Sequence, residues 1–313
     1  MIVGINGFGR IGRNAARVIL NTQGATLGAI NSMSSLESHA YLLAHDSTQG
    51  AFDKKLDGVK IVNEKEPEKI PWGEVDVVLE CTGKFRTTDE ASKHSVKKVV
   101  ISAPAKDDTP TFVMGVNNTS YAGQKVVSNS SCTTNCVTTV LKVLHDDFGV
   151  IRGNMTTIHA VTDSQNLLDN SHKKEVRLRR SALVNMIPTS SGSVKDVAKL
   201  FPHLKDKLPC RAIRVPLATV SLIDLVVAVK KKTSKEEVNR VFEKAEKTSL
   251  AGILSVANEE LVSSDFVGDS DSAIVDPFLT DVVDGTLVHI TAWYDNEWGY
   301  ANRLVDLARL IAK

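Results

Sequence analysis

The chain is predicted to be α/β, with a doubly wound parallel sheet followed by a second domain of α+β type on a mostly antiparallel sheet. Three observations predict this. Up to about residue 150, short apolar runs alternate with helix-like stretches, the pattern of strands joined by crossover helices. Beyond it the β-rich runs lengthen and only two helix-like stretches separate them. Finally, 313 residues are more than one hydrophobic core usually organises.

Met1 to Asn6 is an apolar run that ends in Gly7-Phe8-Gly9. Arg10 to Leu20 reads as a helix, with Ile11, Ala15, Val18 and Ile19 on one face. Ala25 to Ile30, Val75 to Leu79, Val99 to Ile101 and Val126 to Val127 read as buried strands, and Val137 to His145 as a helix. In the second half, Met155 to Val161, Arg211 to Pro216, Thr219 to Val229 and Thr286 to Trp293 are β-rich. Gly192 to Leu200 and Ser234 to Thr248 are helix-like; Ser234 with Glu237 three residues on is a capping-box signature. Residues 162–187 are polar and basic without alternation, a loop long enough to be functional or held at a subunit contact. Glu297 to Lys313 reads as a closing helix, with Leu304, Leu307, Ala308 and Ile311 on one side.

The bulk numbers exclude several classes. Apolar residues are 42% and charged residues 24%, near the globular average, which argues against disorder, collagen and coiled coil. A net charge of +1 gives no long-range attraction to nucleic acid or a membrane surface. Leu222 to Val229 is too short to span a bilayer and carries Asp224. The start shows no secretory apolar region, and four cysteines in a chain this size need no disulfides. The cytosol is the expected compartment.

Gly7-x-Gly9-x-x-Gly12 follows a strand and opens a helix, the context a dinucleotide fingerprint needs. Gly7 permits the tight turn, Gly9 lets the backbone approach a pyrophosphate, and Gly12 lets helix and strand pack closely. The phosphates then meet the free N–H groups and positive dipole end of the helix. The second strand ends at Asn31, where an acidic residue would bind a ribose 2′-hydroxyl and repel a 2′-phosphate. Asn31 keeps a hydrogen bond and loses the repulsion. It therefore either ends the strand of an NAD protein or admits NADP.

Ser131-Cys132-Thr133-Thr134-Asn135-Cys136 joins a strand to a helix. A thiol at a helix N-terminus meets N–H groups that lower its pKa and can hold an oxyanion. Cys136, one turn further, is expected to face the core. The CxxxC spacing without a second ligand pair does not suit zinc, and no metal is expected. His159 ends a strand and could serve as base; among eight histidines, spacing alone does not select it.

NGFGRIGR at 6–13, DSTQG at 46–50, ISAPA at 101–105, SCTTNC at 131–136, HAVTD at 159–163, IPTSSG at 187–192, RVP at 214–216, SSDF at 263–266 and WYDNEWGYANR at 293–303 run over essentially the whole chain. In this order they resemble the phosphorylating glyceraldehyde-3-phosphate dehydrogenase family. The resemblance implies a Rossmann-type dinucleotide-binding domain of residues 1–131 plus 297–313 and a catalytic domain of 132–296. It implies that Cys132 attacks the aldehyde, that His159 takes the proton, and that hydride passes to NAD or NADP to leave a thioester. Inorganic phosphate then releases 1,3-bisphosphoglycerate. Ser131 and Thr133 flank the nucleophile, and Thr162 and Arg214 match the pocket for the substrate's phosphate. Arg180, Ser191 and Gly192 match the pocket for the attacking phosphate; Ser191 replaces a more usual Thr. On the cofactor side Gly7, Gly9, Arg10, Ile11 and Gly12 match the pyrophosphate turn. Asn31 and Ser102 match the ribose region, and Asn296 the residue that orients the carboxamide.

Two positions depart from the family's NAD-specific pattern: Asn31 in place of Asp, and Ser171 in place of Pro. Together they imply that NADP is accepted as well as NAD. The resemblance also implies a homotetramer with 162–187 buried between subunits. Two other readings remain open: an erythrose-4-phosphate dehydrogenase, and a non-catalytic nucleic-acid-binding protein, for example one that binds RNA, that kept the fold. Against the second, Cys132, His159, Arg180 and Arg214 are all present, and no basic stripe with interleaved aromatics is seen.

Overall fold

The computed structural model describes residues 1–173 and 175–313; Lys174, inside the polar loop, lies outside the described residues. The chain divides into two compact units, Met1–Ser131 with Tyr300–Lys313, and Cys132–Gly299.

The first unit holds, in chain order, β1 (Ile2–Asn6), α1 (Arg10–Asn21), β2 (Thr26–Asn31), α2 (Leu36–Ala44), β3 (His45–Asp46), β4 (Gly50–Ala51), β5 (Lys60–Val62), β6 (Val77–Glu80), α3 (Thr88–Ala91), β7 (Lys98–Ile101) and β8 (Val126–Ser128). Six strands form one sheet in the order β5-β2-β1-β6-β7-β8, parallel throughout, while β3 and β4 make a separate small ribbon. The order reverses between β1 and β6, so the carboxyl ends of these two strands border the crevice where such sheets bind ligands. Val77, Val78 and Leu79 are wholly buried, as strands covered on both faces require. Two glycines allow the close packing at β1. A Cβ on Gly12 would stand 2.1 Å from the carbonyl oxygen of Gly7, and one on Gly4 2.7 Å from the Trp72 ring.

The second unit contains α4 (Cys132–Phe148), β9 (Val150–His159), β10 (Ile187–Ser190), α5 (Ser193–Leu200), β11 (Cys210–Arg214), β12 (Ser221–Val229), α6 (Lys235–Lys247), β13 (Leu254–Val256), β14 (Ala273–Val283) and β15 (Leu287–Tyr294). The chain closes with α7 (Trp298–Ile311), whose Leu304, Leu307, Ala308 and Ile311 are buried as expected. The sheet runs β10-β11-β9-β12-β15-β14-β13. Pairings of β11 with β9 and of β13 with β14 are parallel; the rest are antiparallel. Along β12, Ser221, Ile223, Leu225, Val227 and Val229 alternate into the buried face on which α4 packs.

The structure corrects several boundaries. The nucleophile's helix begins at Cys132 itself rather than at Val137. Strand β9 starts at Val150, well before Met155, and β11 stops at Arg214, before Val215 and Pro216. Strand β14 is not among the runs expected to be β-rich, and it carries Pro277, a residue that strand interiors disfavour. The strand shifts register between Asp276 and Asp281 and continues, the kind of irregularity that tolerates proline. At α6, Ser234 accepts the Glu237 N–H at 3.3 Å, but the Glu237 carboxylate takes the Thr233 hydroxyl, so only half of the expected capping box forms.

Candidate active site

The thiol site lies within the second unit. Because α4 starts at Cys132, its sulfur stands beside N–H groups that no turn of helix precedes. Strand β9 carries His159 at its last position, and His159 Nε2 lies 3.5 Å from Cys132 Sγ. His159 Nδ1 is 2.7 Å from the carbonyl oxygen of Ala160. A proton on Nδ1 donated to that carbonyl leaves Nε2 as the free base facing the sulfur. Arg214 pairs in register with His159 across β11 and β9. Its Nη1 stands 2.7 Å from His159 Nδ1 and 3.2 Å from Ala160 O. A guanidinium N–H can only donate, so Arg214 and the Ala160 carbonyl compete for Nδ1; Nε2 is the free base only in the tautomer whose Nδ1–H goes to Ala160 O, with Arg214 Nη1 donating to that same oxygen.

These neighbours oppose one another. Burial pushes the Cys132 thiol above its ordinary range, while Arg214 and the N–H groups of Thr133 and Cys132 pull it down. The sequence reading counted only the lowering influence; burial outweighs it here. Burial and then the Arg214 charge lower His159 to about 3. The pair therefore rests as thiol and neutral imidazole.

Three residues that the sequence reading did not single out hold this arrangement. The Tyr294 hydroxyl is 2.9 Å from Thr133 Oγ1 and 2.8 Å from Thr157 Oγ1, and its ring meets that of His159 edge-on. It thereby ties the first turn of α4 to β9. Ser221 Oγ accepts the Ala160 N–H at 3.1 Å and donates to Asn296 Oδ1 at 2.9 Å. Asn296, buried, is thus held by its oxygen, and its amide N–H groups remain to donate. Val220, just before Ser221, has φ 66, a left-handed conformation costly for a β-branched residue. Asp295 accepts N–H groups of Glu297, Trp298 and Gly268, fixing the segment around Asn296. Tyr294 falls within the WYDNEWGYANR segment, but its contacts, like those of Ser221, are not legible locally because the partners are distant in sequence.

The other residues expected from the sequence to bind phosphate are placed less tightly. Thr162 follows β9 and shares a 3.0 Å contact with Ser164 Oγ. Arg180 is exposed and pairs with Asp169 at 3.0 Å. Ser191 and Gly192 sit between β10 and α5, where Ser191 Oγ accepts the Ser193 N–H at 3.4 Å and Gly192 occupies the N-cap.

In the first unit, Gly7 has φ 93, and a Cβ there would lie 2.8 Å from Thr82 N. Gly9, the N-cap of α1, has no side-chain cap, and the first turn carries no acidic residue. A Cβ on Gly9 would meet nothing within 4 Å, so this backbone is open to a close-lying group. An uncapped, acid-free N-terminus beside a tight glycine turn fits a pyrophosphate. Arg10 does not point free: it binds Asp46 and Thr48 of the DSTQG segment. Ile11 is half-buried. Ser102 follows β7 and donates its N–H to Glu80 O at 3.0 Å. Ser131, where the first stretch of this unit ends, is half-buried. Asn31 is buried and turned inward, its amide bound to Asn6 Oδ1 and to both backbone groups of Glu64.

A parallel sheet with a dinucleotide turn and a second sheet carrying a thiol–imidazole pair define a nicotinamide-dependent oxidoreductase acting through sulfur. Residues 131–296 match the family model for the glyceraldehyde 3-phosphate dehydrogenase C-terminal domain, and residues 1–88 match that for the NAD-binding domain. The chain is 47% identical to glyceraldehyde-3-phosphate dehydrogenase 1 of Bacillus cereus, over 98% of this chain and 97% of that one. It is 45% identical to glyceraldehyde-3-phosphate dehydrogenase 2 of a Nostoc species and 44% to the Geobacillus stearothermophilus enzyme, each over 99% of this chain and 98% of the relative. The chain belongs to the glyceraldehyde-3-phosphate dehydrogenase family. Neither the erythrose-4-phosphate reading nor the nucleic-acid-binding reading finds support in these relatives.

Proposed function

We propose that this chain oxidises and phosphorylates glyceraldehyde 3-phosphate to 1,3-bisphosphoglycerate, with Cys132 as nucleophile and His159 as base. The observation that carries the assignment is the 3.5 Å approach of His159 Nε2 to Cys132 Sγ at the start of α4. His159 takes the thiol proton as sulfur adds to the aldehyde carbon, and returns it to the developing alkoxide. N–H groups of the first helical turn steady that oxygen. His159 then takes the hydroxyl proton while the hydride departs and a thioester forms on Cys132. When bound, NAD or NADP supplies the hydride acceptor. Inorganic phosphate attacks the thioester carbon, and the Cys132 thiolate leaves.

Arg214 and Thr162 hold the substrate's own phosphate in this reading, and Arg180, Ser191 and Gly192 the attacking one. Paired guanidinium hydrogen bonds suit each. Ser131 and Thr133 border the reacting carbon. Residues 1–131 with 297–313 form the dinucleotide-binding domain: Gly7, Gly9, Arg10, Ile11 and Gly12 take the pyrophosphate, and Asn31 and Ser102 the ribose region. Residues 132–296 form the catalytic domain, and Asn296 offers its amide N–H to the carboxamide. NADP is accepted in addition to NAD: Asn31 presents no charge against a 2′-phosphate, and Ser171 replaces the Pro of the NAD-specific pattern. The enzyme works as a homotetramer in the cytoplasm. Its four cysteines are free, and among the described residues no helix is long and apolar enough to cross a membrane.

The test is an initial-rate assay of NAD and NADP reduction with glyceraldehyde 3-phosphate, with and without inorganic phosphate. Turnover should require phosphate, and Cys132→Ser should abolish it. Efficiency with NADP should be at least about a hundredth of that with NAD, given that a lost charge repulsion is worth only a few factors of ten. Full turnover in the serine variant would refute the assignment.

A further inference from the structure

Three polar residues stand side by side at the carboxyl ends of neighbouring strands in the first unit. Asn31 of β2 pairs in register with Asn6 of β1, and Asn6 with Glu80 of β6. All three are at most 3% exposed. Asn31 Nδ2 donates to Asn6 Oδ1 at 2.7 Å, and Asn6 Nδ2 donates to Glu80 Oε2. The same carboxylate oxygen meets His94 Nε2 at 3.2 Å, and Trp72 Nε1 donates to His94 Nδ1 at 3.2 Å. Since Nδ1 accepts from Trp72, Nε2 carries the proton and donates to Glu80. The other oxygen, Oε1, accepts the Thr82 N–H at 2.8 Å and the Thr82 hydroxyl. One carboxylate therefore accepts four donors.

Those donors lie on both sides of the glycine turn. Asn6 immediately precedes Gly7, and Thr82 is the residue against which the absent Cβ of Gly7 would press. Gly7 N–H binds Asn31 O at 2.8 Å, and Cys81 N–H binds Asn6 O at 2.7 Å. The relay also has a fixed direction. Because Asn6 must turn its NH₂ toward a carboxylate, its oxygen faces Asn31, which must then turn its own NH₂ inward. A buried carboxylate that accepts four hydrogen bonds is costly to place unless it fixes something.

We propose that Glu80 is a positioning residue for the dinucleotide: it sets the Gly7 turn through Thr82 and Asn6, and orients Asn31 through Asn6, without touching the cofactor. This rests on the dinucleotide-binding reading above. In Glu80→Gln an NH₂ group must face either the Asn6 and His94 donors or those of Thr82, so one side of the relay breaks. The loss of hydrogen bonds to a charged group should weaken cofactor binding by about tenfold or more.

The experiment is calorimetric titration of the whole protein with NAD and with NADP, alongside steady-state kinetics. For Glu80→Gln the dissociation constant and KM for the dinucleotide should rise at least about tenfold. The kcat at saturating cofactor and the KM for glyceraldehyde 3-phosphate should change much less. Glu80→Asp, which keeps the charge, should recover most of the affinity. Asn6→Ala leaves the carboxylate with Thr82 and His94 and should weaken binding in the same direction; it carries the test if the Gln variant does not fold. Unchanged cofactor affinity in the folded variants, or equal losses in cofactor KM, aldehyde KM and kcat, would overturn the inference. If the unaltered protein binds neither NAD nor NADP, the functional reading fails instead.

Discussion

Three side chains decide the chemistry proposed for the thiol site, and their mutual geometry sets a pH dependence. His159 is buried, and burial together with Arg214 depresses its pKa to about 3, from an unfolded value near 6.5. Between those two values the unfolded chain binds a proton that the folded one refuses. The depression of a base thus contributes stability that is fully present above the unfolded value and is lost as pH falls toward the folded one. The slope is at most about 1.4 kcal/mol per pH unit for this one group. Urea midpoints between pH 4 and 7 should therefore fall with acid more steeply in the native protein than in His159→Asn. The same variant should lose about 10²- to 10⁴-fold in kcat/KM, the usual worth of a positioned base. An identical acid slope in both proteins would show that the imidazole is not held neutral by its surroundings. Cys132 was legible in the sequence because a nucleophile at a strand–helix junction leaves a local pattern. His159 was not selected by pattern alone, because its partner lies across a fold that no local window contains.

At the scale of elements, legibility followed locality. The first sheet could be read because parallel strands covered on both faces become unbroken apolar runs such as Val77 to Leu79. The cap of α6 was visible in Ser234 because its partner, the Glu237 N–H, is three residues away. Strand β14 was obscured by Pro277, although its far end carried a local signal. Asp284 and Gly285 have φ 51 and 70, both positive as a tight hairpin turn between apolar strands demands. Gly285→Ala should therefore destabilise the protein by about 1–2 kcal/mol, the cost of a left-handed conformation for a residue with a Cβ. A Cβ there meets nothing nearer than 3.6 Å, so the cost is conformational and not steric crowding by neighbours. Gly285→Asn should cost less, since asparagine tolerates that region. Equal stability of the alanine variant and the native protein would place the turn's determinant elsewhere, most directly in the β14–β15 pairing.

At the scale of the whole molecule, the remaining question is what covers the apolar side chains left outside each core. In the segment 162–187, Leu167, Leu168, Val176, Leu183, Val184 and Met186 are each more than half exposed. Six large apolar residues exposed within one segment are unlike the singly scattered ones that a surface ordinarily carries, and they call for a covering surface. The segment is not loose for want of internal bonds. Asp169 accepts Ser181 N–H at 2.8 Å, and the Asn166 amide binds the carbonyl groups of Asn170 and Ser171. A loop stiffened by its own polar groups while turning apolar ones outward is preorganised for a surface that it does not itself contain. A second copy of the chain meets this need in the homotetramer proposed above. Sedimentation equilibrium should give four times the 33.9 kDa chain mass. Replacing Leu168 and Met186 together with Asp would bury charge at each contact, and the mass should fall toward that of the dimer or monomer. If the native protein sediments as a monomer, both the tetramer and this account of the loop are wrong.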